Sequence, residues 1–273
     1  MKCNYESVRT SAAGSASELL CFLPNAAAFS EIGESQRETF RAAQPFPHLV
    51  IEDLFPPAVL DSVVDEIPPR DASNWRVWGS GSRLREDSAE GIKMGISNES
   101  LLGPITRNFL LQLNSAIFLR FLNNLLGLPI PTLMPDPSLF GGGLHATGRN
   151  GRLLVHTDIE RHPLGQPLCQ RVNVILYLNR DWAEDYGGHL ELWSRDSKTC
   201  VKRILPVFNR MVIFESGSDT YHGHPVPLSC PPDRYRYSLA LYYYQLNRPI
   251  SADYIGYQKK VGWINDTADA PAR

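Results

Sequence analysis

The sequence predicts an α+β protein in which a helical layer buttresses a sandwich or barrel of antiparallel strands. Three observations carry that prediction. Leu101, Leu102, Ile105, Phe109, Leu113, Ile117, Phe121 and Leu125 recur at three- and four-residue steps, the period of an amphipathic helix. From residue 131 onward, short runs of β-branched and aromatic residues are separated by turn signals. The 20 Gly and 21 Pro of this 273-residue chain are enriched in that second stretch. Helices first and many short strands afterwards is the pattern of an antiparallel sheet covered on one side.

Taken in order, residues 1–44 are rich in Ser, Ala and Glu and read as a flexible arm, with a short helix at Ser17–Phe22. Pro45-Phe46-Pro47 breaks the chain, and His48–Leu54 reads as a strand. Pro56 and Pro57 open a helix running to about Ile67. Pro68–Ser97, with Trp75, Trp78 and many charges but no period, reads as a long loop suited to a lid. The periodic stretch after it predicts one packing helix, allowing a single break, that ends near Gly127. Strands follow at Leu153–Val155, Val172–Leu178, His189–Leu192, Val207–Phe214 and Ser238–Tyr244. Gly141-Gly-Gly143, Asn150-Gly151, Gly187-Gly188 and Pro231-Pro232 mark turns between them. The expected organisation is one domain over 45–250, with a helical buttress at 45–130 and the barrel core at 131–248. Residues 251–273 form a polar tail whose last ten residues are expected to be disordered.

Composition narrows the function classes. With 27 Lys and Arg against 29 Asp and Glu the formal charge is −2, without the basic excess of a dedicated nucleic-acid binder. The five cysteines are odd in number and contain no C-x-x-C pair, which suggests neither a disulfide framework nor a zinc knuckle and fits a reducing cytoplasm. The apolar run Leu19–Leu23 spans five residues. A signal-peptide core needs roughly 7–15 residues and a membrane span about 20, so neither is expected. Oligomeric state is left open.

Chemistry is concentrated in His156-Thr-Asp158. In a strand, residues two apart point to the same face, so an imidazole and a carboxylate converge on one point. A second histidine from a strand remote in sequence would complete the two-His, one-carboxylate set of non-haem Fe(II) oxygenases. The residues alone leave His222 and His224, in Asp219-Thr-Tyr-His-Gly-His-Pro225, as equal candidates.

The segment from about 140 to 245 resembles the catalytic core of the Fe(II)/2-oxoglutarate-dependent dioxygenases, in their prolyl-hydroxylase-like branch. His156-Thr-Asp158 matches the family's H-x-D, and Tyr177-Leu-Asn-Arg-Asp-Trp182 followed by Gly187-Gly188 resembles the Y-L-N-x-D-W…G-G run of hypoxia-sensing prolyl hydroxylases. A histidine eight residues after Phe214 resembles the family's spacing before its distal ligand, which selects His222 over His224. Arg236-Tyr-Ser-Leu-Ala-Leu-Tyr242 resembles the strand whose arginine pairs with the 2-oxoglutarate C5 carboxylate, with an aromatic residue six positions later. Gly141-Gly-Gly-Leu-His145 and Gly188-His-Leu-Glu-Leu-Trp193 are similar to a group of small bacterial oxygenases. Ile159-Glu160 and a somewhat longer loop between His222 and Arg236 depart from the family pattern.

The resemblance implies a double-stranded β-helix, a jelly-roll or cupin-like core. It further implies Fe(II) on His156, Asp158 and His222, 2-oxoglutarate as cosubstrate and O2 as co-reactant. Arginine's planar fork suits a carboxylate. Asn173, Ile175 and Tyr177 share one strand face, so Tyr177 and Asn173, with Tyr242 and Arg236, are the expected cosubstrate residues. A carboxylate at Asp158, where halogenating relatives carry a small residue, implies hydroxylation.

The expected substrate is a small molecule such as an amino acid or natural-product intermediate, with Arg76, Arg83, Arg85 or Lys93 of the 68–97 loop as cations that could meet its carboxylate. His145 and Thr147 are further candidates for the pocket wall, while His162 and His189 read as structural or exposed. The alternatives are a peptidyl hydroxylase of prolyl type and a metal-binding cupin-like protein without oxygenase activity.

Overall fold

The computed structural model describes residues 23, 26–78, 93–158, 161–162 and 167–246. The helix expected at Ser17–Phe22, Arg83 and Arg85, Ile159-Glu160 and the tail from 251 lie outside these.

Five helices form one layer: α1 (Ala26–Ser35), α2 (Arg37–Ala42), α3 (Pro57–Asp65), α4 (Pro104–Leu113) and α5 (Ala116–Leu126). The first two correct the expected flexible arm over 1–44, because residues 26–42 are helical and anchored. Phe29 and Phe40 are fully buried, and Phe29 meets Phe121 of α5 edge-on at 5.4 Å. Gly33 lets α1 approach closely, since a Cβ there would lie 2.6 Å from the Phe121 carbonyl oxygen. Single apolar anchors among Ser, Ala and Glu give little periodicity, yet Phe29 finds its partners Phe118 and Phe121 about ninety residues away.

The periodic stretch expected as one helix divides into α4 and α5 with a 43° bend. Asn114 and Ser115 sit at the break, Ser115 with the extended backbone (ψ 162°) of a helix start. Short polar side chains favour helix ends over interiors, which places the break there. Gly127 closes α5 in the left-handed conformation, φ 69°.

The strands are β1 (His48–Glu52), β2 (Arg76–Trp78), β3 (Lys93–Ile96), β4 (Leu133–Pro135), β5 (Gly143–Thr147) and β6 (Leu153–His156). They continue with β7 (Leu168–Tyr177), β8 (Leu190–Trp193), β9 (Cys200–Ile204), β10 (Arg210–Glu215), β11 (His222–His224) and β12 (Arg236–Leu246). An eight-stranded sheet runs β1-β10-β7-β12-β5-β3-β2, with β4 on β12, and a four-stranded sheet runs β6-β11-β8-β9. Two expectations change here. The 68–97 segment is not all loop: β2 and β3 pair with each other, and β3 pairs with β5. The sheet core is not confined to 131–248 either, since β1, β2 and β3 join it from the stretch read as helical buttress.

Alternation on the large sheet explains both of its faces. Leu49, Val172, Val174, Leu176, Met211, Ile213, Leu239, Leu241 and Tyr243 point outward and are buried with the helices in one apolar core. The opposite face carries Tyr177, Val212 and Phe214, which pack with Leu190, Leu192 and Ile204 of the small sheet and with Phe46. The space between the two sheets holds the polar residues discussed next.

Candidate active site

His156 ends β6, Asp158 follows it, and His222 begins β11, directly opposite His156 in the antiparallel pair. One potential ligand atom from each of the three lies within 4.8 Å of the others, and their side chains are only 6–13% exposed. Asp158 Oδ1 is 3.6 Å from His156 Nε2 and Oδ2 is 3.3 Å from His222 Nε2. Both imidazoles are oriented by their own strands. His156 Nδ1 donates to the Leu154 carbonyl at 2.8 Å and His222 Nδ1 to the Thr220 carbonyl at 3.0 Å. A carbonyl only accepts, so each Nδ1 bears a proton and each Nε2 faces the centre, where it would present its lone pair to a bound metal. Phe214 stacks edge-on against His222 at 4.7 Å and limits its rotation.

The electrostatics favour a bound cation. Burial raises the Asp158 carboxyl, but the His222 and His156 imidazoles together hold it well below the usual carboxylate range. Burial is likewise the largest influence on His222, yet the Asp158 charge and hydrogen bond outweigh it and raise the imidazole. His156 is net lowered, by burial first. His224 is absent from this three-residue group.

Asn173 is bonded to the Asp158 carboxylate. Its Nδ2 donates to Asp158 Oδ2, while its Oδ1 accepts from Ser216 Oγ at 2.8 Å and from Gln170 Nε2. These contacts let it position the Asp158 carboxylate from behind. Gln170 was not expected because strict alternation puts it on the face opposite Asn173. A bulge between the Val172–Tyr243 and Gln170–Tyr244 pairs turns it inward, where it also reaches Asp158 Oδ2 at 3.4 Å. Replacing Asn173 with Leu should weaken Mn(II) binding about 10- to 100-fold, the usual cost of an outer-shell partner, while the fold persists. Unchanged affinity in an equilibrium metal titration would count against this orienting role.

The inward face of the large sheet is laid out in rows across the strands. Phe214, Asn173 and Tyr242 form the row at the metal end. Ile175, Ala240 and Gly143 come next, then Tyr177, Ser238, His145 and Gly95. Arg236, Thr147 and Lys93 form the far row. Gly143 (φ +91°) is required for the close approach of β3: a Cβ there would lie 2.1 Å from the Ile96 carbonyl oxygen.

Arg236 is 6% exposed, its Nε donating to the Gly188 carbonyl at 2.7 Å and a terminal nitrogen to the Tyr177 hydroxyl at 3.1 Å. Those contacts use two of the five guanidinium N–H groups. Its guanidinium also lies 4.9 Å from the Tyr177 ring centroid. Burial pushes the Tyr177 and Tyr242 hydroxyls up, so both stay protonated donors. Lys93 is lowered to about 8, by burial first and then by Arg236, with Asp158 opposing. His145 is held well below its ordinary value by burial and by Lys93.

Of the loop cations, Lys93 reaches the chamber wall and Arg76 is exposed on edge strand β2. Arg234 points elsewhere, donating to the Arg180 and Asp181 carbonyls. His189 and His162 are buried and structural, the first bonded to Glu184 at 2.7 Å and the second against Tyr244 at 4.9 Å.

Residues 142–244 match the family model of the 2OG-Fe(II) oxygenase superfamily. Over those residues the chain is similar to a 2OG-Fe(II) oxygenase domain. Prolyl 3-hydroxylase OGFOD1 of Mus musculus is 34% identical over 84 residues, covering 29% of this chain and 15% of that relative's length. A prolyl hydroxylase solved with a hypoxia-inducible-factor peptide, from Trichoplax adhaerens, superposes with a TM-score of 0.54 at 17% identity over 81% of this chain and 90% of that one. A Pseudomonas putida prolyl-4-hydroxylase gives 0.52 at 18% identity over 81% of this chain and all of that one. These structural likenesses establish the shared fold, a double-stranded β-helix with helices on one side. Fe(II) and 2-oxoglutarate are the cofactor and cosubstrate of such oxygenase domains. The donor set fits the metal: two neutral imidazole Nε2 atoms and one ionised carboxylate. The anchor fits a dicarboxylate, because a buried guanidinium with N–H groups beyond the two bonded to described residues lies on the same inward sheet face.

Proposed function

We propose that the chain is a 2-oxoglutarate-dependent dioxygenase that hydroxylates an unactivated C–H bond of a small, carboxylate-bearing molecule such as an amino acid. The observation that carries this reading is the pairing of His156, Asp158 and His222 with the Arg236 guanidinium on one buried chamber. A metal-binding protein without oxygenase chemistry has no need of that inward-facing cation. Bound Fe(II) and 2-oxoglutarate would supply, with O2, the oxidising power for hydroxylation, with succinate and CO2 as coproducts.

The residues have separable tasks. His156, Asp158 and His222 hold the metal, and Asn173 with Gln170 and Ser216 keeps the Asp158 carboxylate turned toward it. Arg236 receives the distal carboxylate of the cosubstrate, and Tyr177, which accepts from Arg236, directs its own O–H to the same group. The aromatic ring of Tyr242 and the wall of Leu190, Leu192 and Phe214 keep water away. Lys93 supports an acidic substrate: it adds a second cation to a chamber whose nearby carboxylate is Asp158.

A second reading, a peptidyl hydroxylase of prolyl type, is favoured by the likeness to prolyl hydroxylases. Succinate release by the Fe(II)-loaded protein, measured over free amino acids, carrier-bound amino acids and proline-containing peptides, separates the two. Stimulation by free acids and not by peptides is expected. Stimulation by peptides alone would replace the first reading with the second, and no stimulation by any member would count against both.

A further inference from the structure

His224 was the competing candidate for the third metal ligand, and its place in the strand register suggests another task. On β11, His222 stands opposite Leu192 and Gly223 opposite Glu191 of β8. Against β6 a bulge falls between His222 and His224, and His224 pairs with Leu153. Just before β8 is Gly188, over which Arg236 lies: its carbonyl accepts from Arg236 Nε, and a Cβ on it would be 3.0 Å from Arg236 Cδ. His224 thus follows the metal ligand His222 by two residues on β11, the strand that pairs with β8, and both Arg236 and His156 act on its imidazole.

His224 is 3% exposed, and its Nδ1 has no hydrogen-bond partner among the described residues. Buried polar atoms are nearly always satisfied, and an exception asks what satisfies it in the working protein. Burial, Arg236, Lys93 and His156 all lower this imidazole, and only its own backbone acts the other way. None of these offers Nδ1–H an anionic acceptor, whereas a dicarboxylate reaching from the metal to Arg236 passes alongside it.

We propose that His224 is a cosubstrate-binding residue, its Nδ1–H donating to 2-oxoglutarate on the stretch between the metal ligands and Arg236. This rests on the reading of the chamber as a 2-oxoglutarate site. The imidazole thus adds a third kind of contact to the anchor made by Arg236 and Tyr177, and it fixes the chain of the cosubstrate between its two ends.

The test is calorimetric titration of 2-oxoglutarate into the Mn(II)-loaded protein, with Mn(II) affinity measured separately. Losing a hydrogen bond to a charged group should weaken 2-oxoglutarate binding in H224L about tenfold or more. Mn(II) affinity should stay within about twofold, since His224 is not a ligand in this scheme. H224N, whose amide can donate from near the Nδ1 position, should recover most of the loss, and H224Q should recover less. Three outcomes would overturn the proposal: H224L binding 2-oxoglutarate as tightly as the native protein, Mn(II) affinity falling in parallel, or Asn and Gln performing alike. The Asn–Gln comparison decides the point even if H224L does not fold. Failure of the native, Mn(II)-loaded protein to bind 2-oxoglutarate would overturn the chamber reading itself.

Discussion

Replacing Asp158 with Ala is expected to remove Fe(II) binding at working concentrations and, with it, substrate-stimulated succinate release. Asp158 is the one carboxylate in the three-residue cluster, held ionised by His156 and His222 at 3.6 and 3.3 Å. Without it two uncharged imidazoles face a dication with no compensating charge. Loss of an outer-shell partner alone costs about 10- to 100-fold in metal affinity, so loss of the ligand should exceed about 100-fold. Anaerobic titration with Fe(II), or with redox-stable Mn(II), reads this directly. Wild-type affinity in D158A would mean that the metal sits elsewhere.

The second large effect belongs to Arg236. R236L is expected to weaken 2-oxoglutarate binding by roughly 100-fold or more, because removing one partner of a buried charge-assisted pair costs about 2–5 kcal/mol. The metal site should be spared, since no atom of Arg236 takes part in it. R236K should restore only part of the affinity: an ammonium is a point charge and lacks the planar fork that engages Gly188, Tyr177 and a carboxylate together. Parallel loss of Mn(II) affinity in R236L would show collapse of the chamber instead, and unchanged 2-oxoglutarate affinity would remove Arg236 from its assigned role.

The parts of the site that were legible in the sequence are those set by short spacings within one strand. His156 and Asp158 needed only the two-residue repeat, and Arg236 with Tyr242 only an even separation along β12. Gln170 escaped because a bulge breaks that repeat, and bulges leave little trace in one sequence. Alternation gives the inward face of Asn173 but not its bond to Asp158, since it tells where a side chain points and not what it meets. Lys93 was found among the loop cations without the strand that carries it. The expected arm failed for a related reason: Phe29 and Phe40 are isolated in a polar context, and their partners in the helical layer are supplied by tertiary packing. Local periodicity reports on strands and long helices, while anchors spaced eleven residues apart register only once the chain is folded.

Two of the hydrogen bonds that orient the functional residues also join the layers of the molecule. Asn173 on the large sheet grips Asp158, which follows β6 of the small sheet, and Arg236 on the large sheet grips Gly188, just before β8 of the small one. The small sheet is thus fastened at both ends of the chamber by polar clasps, with the apolar contacts of Leu190, Leu192 and Ile204 lying between them. A cation seated at one clasp and a dicarboxylate at the other would tighten the same two fastenings. Occupancy of the site and resistance of the small sheet to peeling away are, in this architecture, one mechanical property.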